Sequence, residues 1–502
     1  LDRHPTIDEL GQVVCEHINA HSSSLRWLGQ GQSVKSVDLD WLYGDLFEPG
    51  SFDGAIYEAR IYTSSGTFRG LYSISFKESL GLNGDDEGVD QGSAHKAAEV
   101  VFDFEVVDLL SKDAGEILGV ALGLLVGSGS VVVREGSELQ GLINSYGEKI
   151  SPIVLDQTNS AFRVGDIAFG KYFRSVGTRP REARLYGLLA DCDVVPRFYG
   201  EIFSKGGETV AIVTELLSEP RSLWDYLIES LTLELDETRR ELLLSHIHGI
   251  GLALGKLHGR LDELARIDLS AHDEVYDLDD WARHRCRARG DVVSGRWASS
   301  LVGDEKISVP LFGIVDKSDL AKHRFEIHGD FHLGQVMLSG SDLKIIDFEG
   351  EPISDAGQVN HPLRDLGGAL RSLSYAIEIA RSQGDLLGDP NALLLELRRA
   401  LVDGYAKSPF GAFIFEDIQS TYLTLFFEME KALYELYYEK RFRQDYIGVP
   451  LSFLLALTSS LGGVEFKVGD DASEELVSNW LSELGNYDPK VAISDLYLLG
   501  GS

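Results

Sequence analysis

One stretch constrains this chain more than any other: IHGDFHLGQ, from Ile327 to Gln335, followed by the apolar run KIIDFEGEP that carries Asp347. A carboxylate follows His-Gly at Asp330, an amide stands five residues later at Gln335, and a second carboxylate lies seventeen residues after the first. Phosphoryl transfer needs such a set. A loop Asp takes the proton of the attacking hydroxyl, while an Asn or Gln and an Asp behind a buried strand hold the Mg²⁺ ions that bridge ATP phosphates. The sequence therefore predicts Asp330 as the catalytic base, and Gln335 and Asp347 as metal ligands.

The order and spacing equal those of the protein-kinase set, with two departures. His-Gly-Asp replaces His-Arg-Asp, and Asp-Phe-Glu replaces Asp-Phe-Gly. Both point to the small-molecule branch of the kinase-like fold, the aminoglycoside-phosphotransferase-like enzymes.

Composition limits the partners. The 502 residues suffice for two or three domains. With 46 basic and 80 acidic residues the net charge is −34, which repels nucleic-acid backbones and anionic membrane surfaces. No nucleic-acid or membrane partner is expected, and the acidity fits a high-salt cytoplasm or simply high solubility. Cys15, Cys192 and Cys286 have no metal-ligand spacing and read as reduced thiols of a cytoplasmic protein. No run approaches the length needed to cross a bilayer, the N-terminus lacks an apolar signal segment, and Leu1 is not expected to be the native start.

Along the chain, residues 1–150 read as an N-terminal cap module of mixed type. It has strands near 55–62 and 70–76, an exposed loop at 81–92 and a helix near 100–110. Residues 151–220 read as a kinase N-lobe running to a hinge. Two strand-like segments meet at Gly165-Asp166, a good hairpin turn. Lys171 lies on the second, and Glu182 opens a helical stretch eleven residues later. Kinase-like folds pair such a strand Lys with a helix Glu to bind the α- and β-phosphates. Asn159 and Ser160 stand where a glycine loop would approach the phosphates, and their amide and hydroxyl could take its place. No Walker A sequence is present, since GIGLALGK at 249–256 has the wrong spacing. Residues 221–502 read as a mostly helical C-lobe. His246, His248 and His258 lack the four-residue spacing of a helical metal pair, and core positions are expected for them.

Four segments carry a more specific resemblance: HGDFHLGQ, IIDFEGEP, PLRDLGGALRSLSYA at 362–376 and EKALYELYYEKRFRQDYIGVPL at 430–451. Together they resemble the maltokinases, with looser likeness at 159–174 and 26–32. The resemblance implies an α+β, bilobal, protein-kinase-like (aminoglycoside phosphotransferase-like) fold with an N-terminal cap and a helical C-lobe. It also implies an ATP- and Mg²⁺-dependent phosphorylation of maltose at its anomeric hydroxyl, feeding α-glucan or glycogen synthesis, and a possible trehalose synthase partner. Lys431, Tyr434 and Tyr438 stand at i, i+3 and i+7 and share a helix face. By the resemblance, they hold the maltose. His332 and Glu349 are close enough in sequence to join the substrate or metal shell or to shape the loop; Arg371 is expected to brace the site from a helix, and Glu430, Glu435 and Arg443 to form structural ion pairs.

Two other readings stay open. A glucosamine kinase, or another aminosugar or aminoglycoside phosphotransferase of the same fold, would suit the acidic surface but would meet Lys431. A non-catalytic kinase-like binding protein would have lost Lys171, Asp330 or Asp347, and all three are present.

Overall fold

The computed structural model describes residues 6–21, 32–45, 54–64, 67–77, 103–109, 131–133, 137–146, 149–153, 160–174, 180–232, 236–267, 323–340, 342–350, 359–382, 389–417, 419–450 and 453. These fall into two compact units. One comprises Leu1–Gly187 and Arg197–Leu216, the other Leu188–Pro196 and Leu217–Ser502.

In the first unit, α1 (Ile7–Ala20) starts at a capping box in which the Thr6 hydroxyl accepts from the Glu9 N–H and the Glu9 carboxylate accepts from the Thr6 N–H. It packs on an antiparallel sheet of β1 (Val34–Asp45), β2 (Gly54–Thr63), β3 (Thr67–Lys77) and β4 (Asp103–Asp108), in that order. The period of two is visible along β2. Ala55, Tyr57, Ala59 and Ile61 face α1, whereas Ile56 turns into a second core. Gly11 permits the close approach of α1, because a Cβ there would lie 2.5 Å from the Val37 carbonyl oxygen. β4 occupies part of the segment expected to be helical. The backbone of Phe104 and Val106 pairs with that of Phe76 and Ile74, and Phe and Val are residue types with a higher strand than helix preference.

The second core of this unit lies against a six-stranded sheet. It consists of β5 (Val131–Val133), β6 (Ile150–Ile153), β7 (Ser160–Val164), β8 (Ala168–Tyr172), β9 (Phe198–Ser204) and β10 (Thr209–Glu215), in the order β5-β9-β10-β8-β7-β6. The β7–β8 hairpin turns at Gly165, whose φ of 57° favours glycine. Opposite Phe162 stands Gly170, and the aromatic ring covers the space a side chain would fill. Helices α2 (Glu138–Tyr146) and α3 (Arg181–Leu188) complete the unit.

The second unit is mostly helical: α4 (Leu223–Thr232), α5 (Glu237–Ile267), α6 (Leu363–Ser382), α7 (Pro390–Lys407), α8 (Pro409–Ile414) and α9 (Gln419–Phe442). Small sheets run between them, β11 (Arg221–Ser222) with β13 (Val336–Ser339) and β14 (Asp342–Ile345), and β12 (Phe325–Glu326) with β15 (Val359–Asn360). Glycines set two helix contacts. On α5 and α7, a Cβ at Gly251 would meet the Leu401 carbonyl oxygen at 2.0 Å, and one at Gly404 the His248 carbonyl oxygen at 2.0 Å. On α6, a Cβ at Gly367 would lie 2.9 Å from the Glu428 nitrogen of α9. Among the described residues no helix is long and apolar enough to cross a membrane.

Candidate active site

Unit one carries the expected cation and its partner. Lys171 sits on β8 opposite Ile212 of β10 and Ala161 of β7, so its backbone is fixed on both sides. Its Nζ lies 2.7 Å from Glu182 Oε2 on α3, with the side chains 9% and 3% exposed. An ammonium buried so deeply requires a counter-ion, and removal of either partner would strand the other's charge. Ser160 opens β7, and its hydroxyl accepts from the Arg174 Nε at 2.9 Å. Asn159, Cys286, the loop at 81–92 and the segment resembling 26–31 lie outside the described residues.

Unit two carries the loop. After β12 the chain passes through Ile327 and His328 to Gly329, whose φ of 91° is readily available only to glycine. Asp365, in the first turn of α6, holds this bend from behind. Its two carboxylate oxygens accept the His328 N–H and the Gly329 N–H, each at 2.9 Å, and the Oδ2 atom lies 3.1 Å from His258 Nε2. Burial works against its charge, yet hydrogen bonds from His258 and Gly329 and the fields of His258 and His328 hold its carboxyl below the usual range. The adjacent Arg364 donates from its guanidinium to the Gly329 carbonyl oxygen at 2.8 Å and from Nε to Glu430 of α9 at 3.3 Å. Behind Asp365, the other ring nitrogen of His258 meets the Tyr405 hydroxyl at 2.9 Å. This accounts for His258 as a buried structural histidine.

The clamp presents Asp330, whose carboxylate is one-quarter exposed. Its Oδ1 accepts from Lys431 Nζ at 2.9 Å. His332 caps the short 3₁₀ turn Leu333–Gln335, its Nδ1 accepting the Gly334 N–H, and burial pushes its pKa down. Gln335 and Asp347 meet directly, with the amide donating to Asp347 Oδ2 at 3.0 Å. The strands place them, since the Ile346 N–H donates to the Gln335 carbonyl at 2.9 Å and β13 pairs with β14. Asp347 has a φ of 65°, an uncommon conformation for a non-glycine residue and one that concentrates at functional positions. Glu349 offers a carboxylate oxygen within 4.8 Å of one from Asp347. The carboxylates of Asp347 and Glu349 are hard oxygen donors of the kind Mg²⁺ takes, and the Gln335 side chain beside them carries an amide oxygen of the same class.

On α9, Tyr434 and Tyr438 are stacked, with ring centroids 6.3 Å apart, and both are half-buried. Lys431 Nζ sits 4.9 Å from the Tyr434 centroid, and the Arg443 guanidinium 5.3 Å from that of Tyr438. The acidic residues of α9 are taken up by cations and a hydroxyl of this chain. Glu430 pairs with Arg364, Glu435 with Arg371 at 2.8 Å, Glu428 with Arg398, and Glu439 with Tyr375 and Arg443. Arg371, 1% exposed, thus ties α6 to α9 and lies beneath the Phe453 ring.

Arg364, Asp365 and Ser372, whose hydroxyl accepts from the Leu333 N–H at 3.3 Å, are site residues that sequence reasoning missed. Their one signal is the string PLRDLGG, which otherwise reads as an ordinary helix start with an acidic first turn. The Gly367-Gly368 pair is the hint of close packing, since a Cβ at Gly368 would lie 2.4 Å from the Phe331 carbonyl oxygen.

No protein-family model matches the chain. It is 26% identical over 281 residues to a glucosamine kinase of Mycolicibacterium smegmatis, covering 52% of this chain and 66% of that protein. It is 23% identical over 228 residues to one from Streptacidiphilus jiangxiensis, covering 41% and 49%. The chain therefore spans less than two thirds of either curated relative. Among solved structures, a glucosamine kinase in complex with glucosamine, ADP and inorganic phosphate superposes with a TM-score of 0.53 at 17% identity, covering 87% of this chain and 97% of that one. A second crystal form of a glucosamine kinase gives 0.54 at 16%, covering 95% and 100%. At this identity the likeness concerns the fold, which is the bilobal α+β fold of kinase-like phosphotransferases.

Proposed function

We propose that this chain is an ATP-dependent phosphotransferase acting on a hydroxyl of a small sugar, with an amino sugar of the glucosamine type as the favoured acceptor. The observation that carries the reading is the clamped loop, which holds Asp330 in place with one quarter of its side chain exposed: Asp365 accepts the His328 and Gly329 N–H groups, and Arg364 donates to the Gly329 carbonyl oxygen. A carboxylate fixed so firmly and left accessible suits a base for a bound hydroxyl.

On this reading Lys171, oriented by Glu182, takes the α- and β-phosphates, with Ser160 and Asn159 assigned to the phosphates as well. Asp347 and Gln335, with Glu349 beside them, would hold Mg²⁺, which supplies charge neutralisation at the phosphate oxygens. The acceptor's O–H proton passes to Asp330, its oxygen forms the new bond to the γ-phosphorus, and the bond to the β,γ-bridging oxygen breaks with its electron pair retained by ADP. His332, Tyr434 and Tyr438 are assigned to the acceptor's surroundings.

The maltokinase resemblance at 430–451 leads to maltose, and both curated relatives lead to glucosamine instead. The relatives carry this choice, and α9 does not decide it, because the faces of Tyr434 and Tyr438 suit a cation but are already taken by Lys431 and Arg443 of this chain. The carboxylates of Glu430 and Glu435 are likewise occupied, by Arg364 and Arg371. The trehalose synthase association belongs to the maltose reading and forms no part of this proposal.

The test is ADP release from Mg-ATP with glucosamine, glucose, maltose and kanamycin in parallel. Turnover on glucosamine well above the other three is expected, and turnover confined to maltose would restore the maltokinase reading. Asp330→Asn should lower kcat by about 10²–10⁴-fold while ADP still binds. Full turnover in that variant would remove the mechanism.

A further inference from the structure

Consecutive residues of α9 hold consecutive parts of the loop. Glu430 fixes Arg364, which donates to the Gly329 carbonyl oxygen, and Lys431 binds the Asp330 side chain. Among the described residues, Lys431 is the hydrogen-bond partner of that carboxylate, at 2.9 Å to Oδ1. Both groups are largely removed from water, with Lys431 15% and Asp330 25% exposed. The ammonium is also set over the Tyr434 ring, one turn further along the helix. A lysine whose task was to donate to sugar hydroxyls would not need to spend a donor on the base. A lysine whose task is to aim the base would be placed in this way.

We propose that Lys431 is a positioning residue for Asp330, a reading that rests on the function proposed above. It anchors Oδ1, so that Oδ2 is the oxygen presented to the acceptor hydroxyl, and it acts on the rate through the carboxylate. Acceptor affinity from α9 then resides in the tyrosines. The geometry also explains why Glu430 and Lys431 are neighbours. One residue sets the loop backbone and the next sets its side chain, so the orientation of α9 fixes both together.

The experiment is steady-state kinetics on whichever acceptor the wild-type protein turns over, with Lys431→Met, Lys431→Arg, Asp330→Asn and the double variant Lys431→Met/Asp330→Asn. Lys431→Met should lose about 10- to 100-fold in kcat, with the KM of ATP and of the acceptor within about twofold. Lys431→Arg should recover part of the loss. Because Lys431 acts through Asp330, its substitution should change the residual rate of Asp330→Asn by no more than about twofold. A structural role elsewhere would predict the same loss in both backgrounds, and that result would overturn the proposal. So would an acceptor KM raised about tenfold with kcat retained, which is the mark of a sugar-binding lysine.

Should Lys431→Met fail to fold, Lys431→Arg decides by the same split between kcat and KM. The two levels fail separately. Full turnover in Asp330→Asn removes the proposed function, whereas a dead Asp330→Asn beside a KM-type Lys431→Met removes this inference alone.

Discussion

At the scale of single residues, buried histidines report on pH. His361 is 2% exposed, its Nδ1 accepts the Leu363 N–H at 3.3 Å, and its ring stacks on Phe427. Burial first, and then the nearby His323, His258 and Arg324, lower its pKa from 6.5 to about 3. The unfolded chain therefore binds a proton between these values that the folded chain does not. The neutral ring's contribution is fully present above 6.5 and is lost as pH falls toward 3. Denaturant unfolding at several pH values from 6.5 to 4.5 should show stability dropping, with His361→Gln reducing the slope by up to about 1.4 kcal/mol per pH unit. Equal slopes in the two proteins would contradict the assignment. The α9 tyrosines make a second residue-level prediction. Tyr434→Ala or Tyr438→Ala should raise the acceptor's KM roughly 5- to 30-fold, from the loss of a ring contact worth about 1–2 kcal/mol, and leave the KM of ATP nearly unchanged. Equal effects on both substrates would make the helix a scaffold.

At the scale of elements, the start of α6 works as a clamp. Its Asp365 accepts two adjacent backbone N–H groups and faces His258, and no neutral side chain can do all three. In Asp365→Asn the amide NH₂ would confront one of those donors, leaving it buried without an acceptor. The expected cost is about 1–3 kcal/mol in unfolding free energy, together with a fall in kcat as the loop relaxes. A variant with wild-type kcat would show that the loop does not depend on α6. The same clamp marks the limit of what the sequence makes legible. The β7–β8 hairpin, the Lys171 strand and the Glu182 helix are visible because Gly165-Asp166 and the apolar periodicity are local signals. The HGD and IDF strings are visible because phosphoryl transfer restricts residue type and spacing. Asp365 is invisible because its partners lie 36 and 37 residues away along the chain, and an acidic residue in a first helical turn has an ordinary explanation. The helix expected near 100–110 fails for a related reason. The backbone of that run pairs with β3, a partner about 30 residues earlier that no local window contains. On α9, the shared face of Lys431, Tyr434 and Tyr438 can be read from spacing, but not that Lys431 reaches Asp330, 101 residues earlier.

At the scale of the whole molecule, a net charge of −34 on 502 residues makes the folded state repel itself. Opposing this are exposed ion pairs such as Arg260 with Asp191 and Lys256 with Asp193, each worth about 0–1 kcal/mol and weakened by salt. The buried pairs, Arg398 with Glu428 and Arg371 with Glu435, lie where salt screens them much less. Screening therefore removes a repulsion that acts across the whole surface and sacrifices attractions that are each weak. At an ionic strength of about 0.01 M the Debye length is roughly 30 Å, so acidic residues repel across much of a domain, whereas at about 1 M it is roughly 3 Å. Tm measured in KCl, a salt without strong exclusion from protein surfaces, should rise by several degrees between these conditions, and most of the rise should occur below about 0.2 M, where the Debye length changes fastest. A Tm that falls with KCl would mean that surface ion pairs outweigh the net repulsion, and the excess of acidic residues would then need an explanation in local charge networks rather than in the field of the molecule as a whole.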